Sequence, residues 1–215
     1  MHALVALALI WLAEGATPAE QTHAYLSRPV PLSARFLDHG DIALRLAGGA
    51  PHVYRLDLRV GLFDHVSVGV TGHWLPGQRA PQFWPVGAIA LWRYAGRVGF
   101  EIGAHYRPVL YPAVDPSERF VPQTHFALGS LVVSAGPFSA GIDAGAAHTR
   151  VAVADPDQAL KFHRRTAFGG GVFARFGSRR VGVSVDALAA LTDDPVLVFE
   201  IAVDVRFGAF SERGL

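Results

Sequence analysis

From Tyr54 to Trp74 the chain alternates apolar and polar residues through two consecutive segments, interrupted only by Phe63-Asp64-His65. One face reads Leu56, Leu58, Val60, Leu62 and then Val66, Val68, Val70, Trp74. The other reads Arg55, Asp57, Arg59 and then Ser67, Gly69, Thr71, His73. A period of two marks strands with unlike faces, so this stretch is predicted to be a β-hairpin. The pattern recurs along the chain. Val86 to Tyr94 and Val98 to Tyr106 flank Ala95-Gly96-Arg97; Phe126 to Ser134 and Phe138 to Ala146 flank Ala135-Gly136-Pro137. Phe168 to Phe176 and Val181 to Ala189 flank Gly177-Ser178-Arg179, with Ile42 to Ala47 opening the series and Leu197 to Phe207 closing it. That makes about ten strands of about nine residues, the length a tilted strand needs to cross a bilayer; eight and twelve strands stay open. The phase of Val86–Tyr94 is double, since Ile89 and Leu91 compete with Ala88 and Trp92 for the apolar face.

The connections differ in an ordered way. Short turns alternate with longer loops at Leu75–Trp84, Arg107–Gln123, Arg150–Arg165 and Leu191–Pro195. Up-and-down outer-membrane barrels have this alternation of short periplasmic turns and long external loops, whereas the crossovers of a Greek-key sandwich fall irregularly. Aromatic residues gather at both strand ends: Trp74, Trp84 and Tyr106 on the long-loop side, Phe63, Tyr94, Phe176 and Phe207 on the short-turn side. Amphipathic rings favour the depth of a membrane interface. The predicted fold is therefore all-β: a closed, antiparallel, up-and-down transmembrane β-barrel with apolar residues facing lipid and charges in the lumen. The alternative is a soluble exported barrel or sandwich binding an apolar ligand, and it requires Leu56, Val68 and Ile201 to point inward.

Composition narrows the picture further. A formal net charge of +1 gives no basis for a nucleic-acid partner, and the absence of cysteine excludes disulfides and thiolate metal sites. Ala3 to Ala13 form an apolar run too short to span a membrane, followed by the small-residue site Thr17-Pro18-Ala19, although the n-region lacks Lys and Arg. Residues 1–19 read as an export signal, 20–40 as an N-terminal segment, 41–210 as the barrel and 211–215 as a tail. No later stretch could form a spanning helix, so a membrane location requires a closed barrel.

In the closing strand Leu197, Phe199, Ile201, Val203, Val205 and Phe207 alternate with Glu200, Asp204 and Arg206. The segment from Phe199 to Phe210 resembles the C-terminal strand of small bacterial outer-membrane β-barrel proteins, a class-level likeness without a specific family. Phe210 is followed by Ser211 to Leu215, a departure from the usual terminal aromatic. The turn from Gly61 to Val70 is similar to their periplasmic hairpins. The resemblance implies a bacterial outer-membrane location, with membrane lipid and the barrel-insertion machinery as partners and no cofactor.

With apolar residues facing lipid, the lumen is predicted to hold a charge network of Arg55, Asp57, Arg59, Glu101, Asp143, Arg175, Asp186, Glu200, Asp204 and Arg206, together with Arg93, His105 and Arg107. Arg55, Asp57 and Arg59 are expected to pair with Glu200, Asp204 and Arg206 across the lumen. Such a network reads first as structural filling, because small barrels are plugged by side chains, and second as a conduit for a small solute. Six of the ten histidines, His52, His73, His105, His125, His148 and His163, map near the long-loop ends. Imidazoles suit zinc, copper or nickel, which makes His73, His105 and His125 weak metal candidates without a local chelating pair. They could also titrate and drive loop repulsion.

Asp38-His39, Asp64-His65, Asp193-Asp194 and His148-Thr149 are the residues that could contribute to a catalytic set. Asp64-His65 maps to the short-turn side and Asp193-Asp194 to the long-loop side, and adjacent residues of a strand point to opposite faces. No nucleophile–base–orienter set results, so the chain reads as a non-enzyme, with a rim-located lipid or peptide hydrolase as a minor alternative. The proline-rich loops Leu75–Pro85 and Arg107–Pro122 read as a lid or as a recognition surface for an external ligand. The expected role is structural or adhesive, or passage of a small solute.

Overall fold

A computed structural model describes residues 35–51, 54–75, 80–94, 97–111, 122–154, 160–192 and 196–208, with the side chains of 152–154 and 160–162 left aside. The predicted signal, residues 20–34, His52, Asp193-Asp194, Phe210, the tail and most of the two proline-rich loops lie outside them. Ten strands form: β1 (Ile42–Ala50), β2 (Tyr54–Leu62), β3 (Val66–Trp74), β4 (Gln82–Tyr94), β5 (Val98–Leu110), β6 (Gln123–Ala135), β7 (Phe138–Ala154), β8 (Leu160–Gly177), β9 (Val181–Ala190) and β10 (Val196–Phe207). Each pairs antiparallel with its sequence neighbours, and β1 pairs with β10, so the sheet closes into a barrel.

The alternation sets the polarity. Val68 is 47% and Ile201 52% exposed on the outer surface, while Arg55, Glu101 and Glu200 are each 0% exposed within the lumen. Leu56 shares the outer face of β2 with Leu58, which overturns the soluble apolar-cavity alternative and its inward Leu56, Val68 and Ile201. Water would make such an exterior a very large apolar patch; hydrocarbon makes it the favoured arrangement. At the short-turn end Phe63, Tyr94, Phe138, Phe176 and Phe207 stand exposed as a girdle. Trp84 differs from the expected interfacial ring, because it packs on buried Leu75 and Leu110.

Two sequence expectations are corrected. The strands on the β4–β8 side run well past nine residues: β7 has 17 and β8 has 18, so the long loops are shorter than the pattern suggested. Proline-containing segments such as Arg107-Pro108 sit in β5, since proline is tolerated where its missing N–H costs no ladder bond. The double phase of β4 has a structural cause. Its register with β5 shifts between Ala90 and Trp92, and this bulge lets Ile89, Leu91 and Trp92 all stand on the exposed surface.

Residues 35–41 enter the lumen from the short-turn end. His39 accepts the Phe63 N–H on Nδ1 at 3.1 Å, and its own N–H donates to Asp64 Oδ1 at 2.7 Å. Phe63 and Asp64 both have positive φ, 55° and 63°, so these bonds brace an unusual turn. Further in, Phe36 lies against Gly103, where any Cβ would fall 2.3 Å from the ring. Glycine is therefore required there by space.

Candidate functional site

The candidate site is the lumen, which divides into two unlike halves. The short-turn half and the middle contain the ion network. At its centre, β1 carries Arg45 between Asp57 of β2 and Asp204 of β10, its directly paired neighbours. Arg45 is bonded to Asp186 and lies 3.7 Å from Glu200. Arg55 Nη2 donates to Glu200 Oε2 at 2.8 Å and lies 3.3 Å from Asp57, and Arg107 also bridges to Glu200. Arg175 forks onto Asp204 with two bonds of 2.9 Å, and Arg206 reaches the same carboxylate at 3.2 Å. Arg59 has the loosest attachment, 3.4 Å from Asp57 and 26% exposed along its side chain.

The entering segment completes the network on the other wall. Arg35 forks onto Asp143 at 2.8 and 3.0 Å, stacks 4.3 Å over the Phe173 ring, and donates its backbone N–H to Glu101 at 2.9 Å. Asp143 also accepts the Ser130 hydroxyl at 2.6 Å, and Ser130 contacts His105 Nδ1 at 2.9 Å. Arg93 joins Glu101 at 2.9 Å, Asp38 at 2.7 Å and the Phe36 carbonyl at 3.2 Å. Burying these charges is tolerable because Asp38, Asp57, Glu101, Asp143, Asp186, Glu200 and Asp204 each meet at least one guanidinium; an isolated charge here would cost several kcal/mol.

Towards the long-loop ends of β5, β6, β7, β9 and β10 the lining turns apolar, while Arg55 and His73 stay buried at the long-loop ends of β2 and β3. Val109, Phe126, Leu128, Ala147, Leu188 and Val198 form a buried cluster projecting inward from β5, β6, β7, β9 and β10. Each is at most 3% exposed, packed beyond the ions on that wall. A small cavity persists between the entering segment and the β1, β2, β8, β9 and β10 walls, lined by Leu37, Ala43, Arg59 and Arg206 among others.

All ten residues assigned to the lumen network from the sequence lie inside the barrel. The expected pairing of β2 with β10 across the lumen is corrected: the two strands flank β1 on one wall, so Arg55 and Glu200 are near neighbours. Sequence reasoning missed Arg35, Arg45, Asp38 and Ser130. Arg45 was detectable, since Leu44 and Leu46 bracket it in the outward phase. Arg35 left no periodic signal because it precedes the first strand.

The metal reading is also corrected. His73 is buried on the lumen wall of β3, His105 sits mid-lumen beside Ser130 because β5 runs on to Leu110, and His125 is on the outer face. The three do not share a mouth, and among the described residues no group of three His, Cys, Asp or Glu could hold an ion. His125 instead contacts the Tyr106 hydroxyl at 2.6 Å and Gln123 at 3.1 Å. His148 bonds Thr166, while Thr149 bonds Thr124. His65 Nδ1 meets the Ala90 carbonyl at 2.8 Å at the short-turn end. These placements bring together no catalytic set among the described residues.

The closed sheet, the exposed apolar exterior and the ionic lumen define a small barrel of the outer-membrane type. No family profile and no curated protein matches the sequence. Among solved structures, the N-terminal β-barrel domain of Pseudomonas aeruginosa OprF is similar, at 9% identity and a TM-score of 0.38, over 80% of this chain and 100% of that one. Ail, the attachment invasion locus protein of Yersinia pestis solved with the heparin analogue sucrose octasulfate, gives 12% identity and 0.36 over 79% and 99%. Neisserial surface protein A gives 12% and 0.31 over 78% and 93%.

Proposed function

We propose that this chain is an exported bacterial outer-membrane barrel with a shut lumen, acting as a structural or adhesive element that presents its long-side loops to an external ligand. The observation that carries the reading is the contrast between the apolar exterior and a lumen crowded by the ion network and the Phe126–Leu188 cluster, with a small cavity left among the charges. Membrane lipid covers the exterior, and the alternating closing strand is the feature the insertion machinery would read. Passage of a small solute is the weaker role, because a solute would have to displace both the ion network and the Phe126–Leu188 cluster. Hydrolysis would need a reactive set, and the described histidines assemble none.

Cell fractionation tests the location: the full chain should partition with outer membranes and migrate differently on gels before and after heating. Recovery from a clear periplasmic extract would end the reading. Planar-bilayer recording tests the shut lumen, with no steady conductance expected across common ions and voltages. Attachment of cells carrying and lacking the chain to protein- or glycan-coated surfaces then separates adhesive from purely structural roles.

A further inference from the structure

The first inward position of β1 is an alanine with an arginine on either side. Ala43 pairs with Arg59 of β2 and with Arg206 of β10. All three line the cavity left beside the entering segment. Neighbouring strands lie about 4.8 Å apart, so the two arginines leave the wall roughly 10 Å from each other. Between them Ala43 contributes only a methyl group. One inward position further along β1 stands Arg45, which is bonded to Asp186 and closes the gap on that side.

The charges around this gap are unequal. Arg175 forks onto Asp204, and Arg206 has to share that carboxylate. Asp57 is shared by Arg55, Arg59 and Arg45, at 3.3, 3.4 and 3.8 Å. Among the described residues lining the cavity, Asp57, Asp186 and Asp204 are the acids. Arg35 and Arg107 line it too, but they also reach Asp143 and Glu200 behind them. That leaves Arg45, Arg59, Arg175 and Arg206 against those three carboxylates. Two buried donors on the same cavity also lack an acceptor among the described residues: Arg175 Nη1 and Arg107 Nε, on side chains 2% and 4% exposed. A buried N–H left without an acceptor is costly.

We propose that the cavity over Ala43 binds a small oxyanion of the phosphate or sulfate class, held between Arg59 and Arg206. A guanidinium presents paired N–H groups that match the paired oxygens of such an ion. The ion's charge offsets the local excess of arginine, and its oxygens offer acceptors on the cavity where the buried donors lack them. Arg59 is suited to turn onto it, because its side chain is 26% exposed and holds Asp57 only at 3.4 Å. The site belongs to the lumen and needs no lipid, so it is measurable in detergent.

The test uses the full chain folded in detergent, with its fold verified by heat-modifiable migration, and labelled inorganic phosphate in equilibrium dialysis at fixed ionic strength. Wild type should bind phosphate saturably at a single site per barrel. Sulfate should compete, and chloride at the same concentration should not. R59Q and R206Q should each weaken binding roughly tenfold, the loss of a charge-assisted hydrogen bond. A43L keeps every charge but fills the gap, and should abolish binding. Wild type without saturable binding overturns the site, and so does A43L or R59Q that binds as wild type does. Full displacement by equal chloride overturns the assignment to an oxyanion. Should R206Q or A43L fail to fold, R59Q decides alone, and affinity equal to wild type rejects the site.

Discussion

The two halves of the lumen close the same barrel by opposite means. The ion network uses charges whose partners come from distant parts of the sequence: Arg55 and Glu200 are 145 residues apart, and Arg35 and Asp143 are 108 apart. The long-loop half uses interlocking apolar volume, chiefly Phe126, Leu128 and Leu188. Ionic filling is intolerant, because losing one partner strands another charge in a dry place. Apolar filling is graded, because a lost side chain leaves only a void. The difference predicts how each half fails.

The largest effect should come from Glu200→Ala, which strips the shared acceptor from Arg55 and Arg107 and should cost about 3–5 kcal/mol. Urea unfolding of the inserted barrel measures it. Replacing Arg55 and Glu200 together with apolar residues of similar volume should restore much of that loss; a double variant as unstable as E200A would show that geometry, and not stranded charge, dominates this half. Leu188→Ala in the other half should cost ~3 kcal/mol through its cavity. It should still give no conductance, since the ions remain in place beneath; a steady current from this single change would mean the lower half does not seal. On the exterior, Val68→Arg should cost about 2–3 kcal/mol in vesicles if that strand lies near the bilayer midplane. The same substitution would be almost neutral on a water-facing surface. Arg59→Gln should be the mildest, within about 1 kcal/mol, because that side chain is partly exposed and holds one loose contact. A loss as large as that of E200A would promote Arg59 to a central member of the network.

Legibility in the sequence followed the range of the physics. Which residues of β2, β3 and β10 face lipid could be read directly, because a strand's side-chain period is local and Val68, Ile201 and Val203 repeat it without error. The membership of the lumen could be read for the same reason. Partners could not: the Arg55–Glu200 contact depends on β2 and β10 meeting the two edges of β1, a closure invisible to any short window. The bulge at Leu91 blurred the one strand whose phase was ambiguous. Segments outside the alternation gave nothing, so Arg35 and Phe36, which occupy the lumen, were unreadable. Strand ends were misjudged where proline and charge took over from the apolar rhythm, as at Pro108 and Arg150.

The seam between β1 and β10 ties assembly to electrical neutrality. Arg45 stands on the first strand, while Asp186 and Glu200, which it faces, lie on the ninth and tenth. Until the two margins of the sheet join, Arg45 has Asp57 of β2 beside it but lacks Asp186 and Glu200, and the incompletely paired groups hold water that hydrocarbon would not admit. The latch that shuts the cylinder is thus also the step that makes its contents fit to be enclosed, so a chain lacking its final strand would be left both open-edged and ionically incomplete.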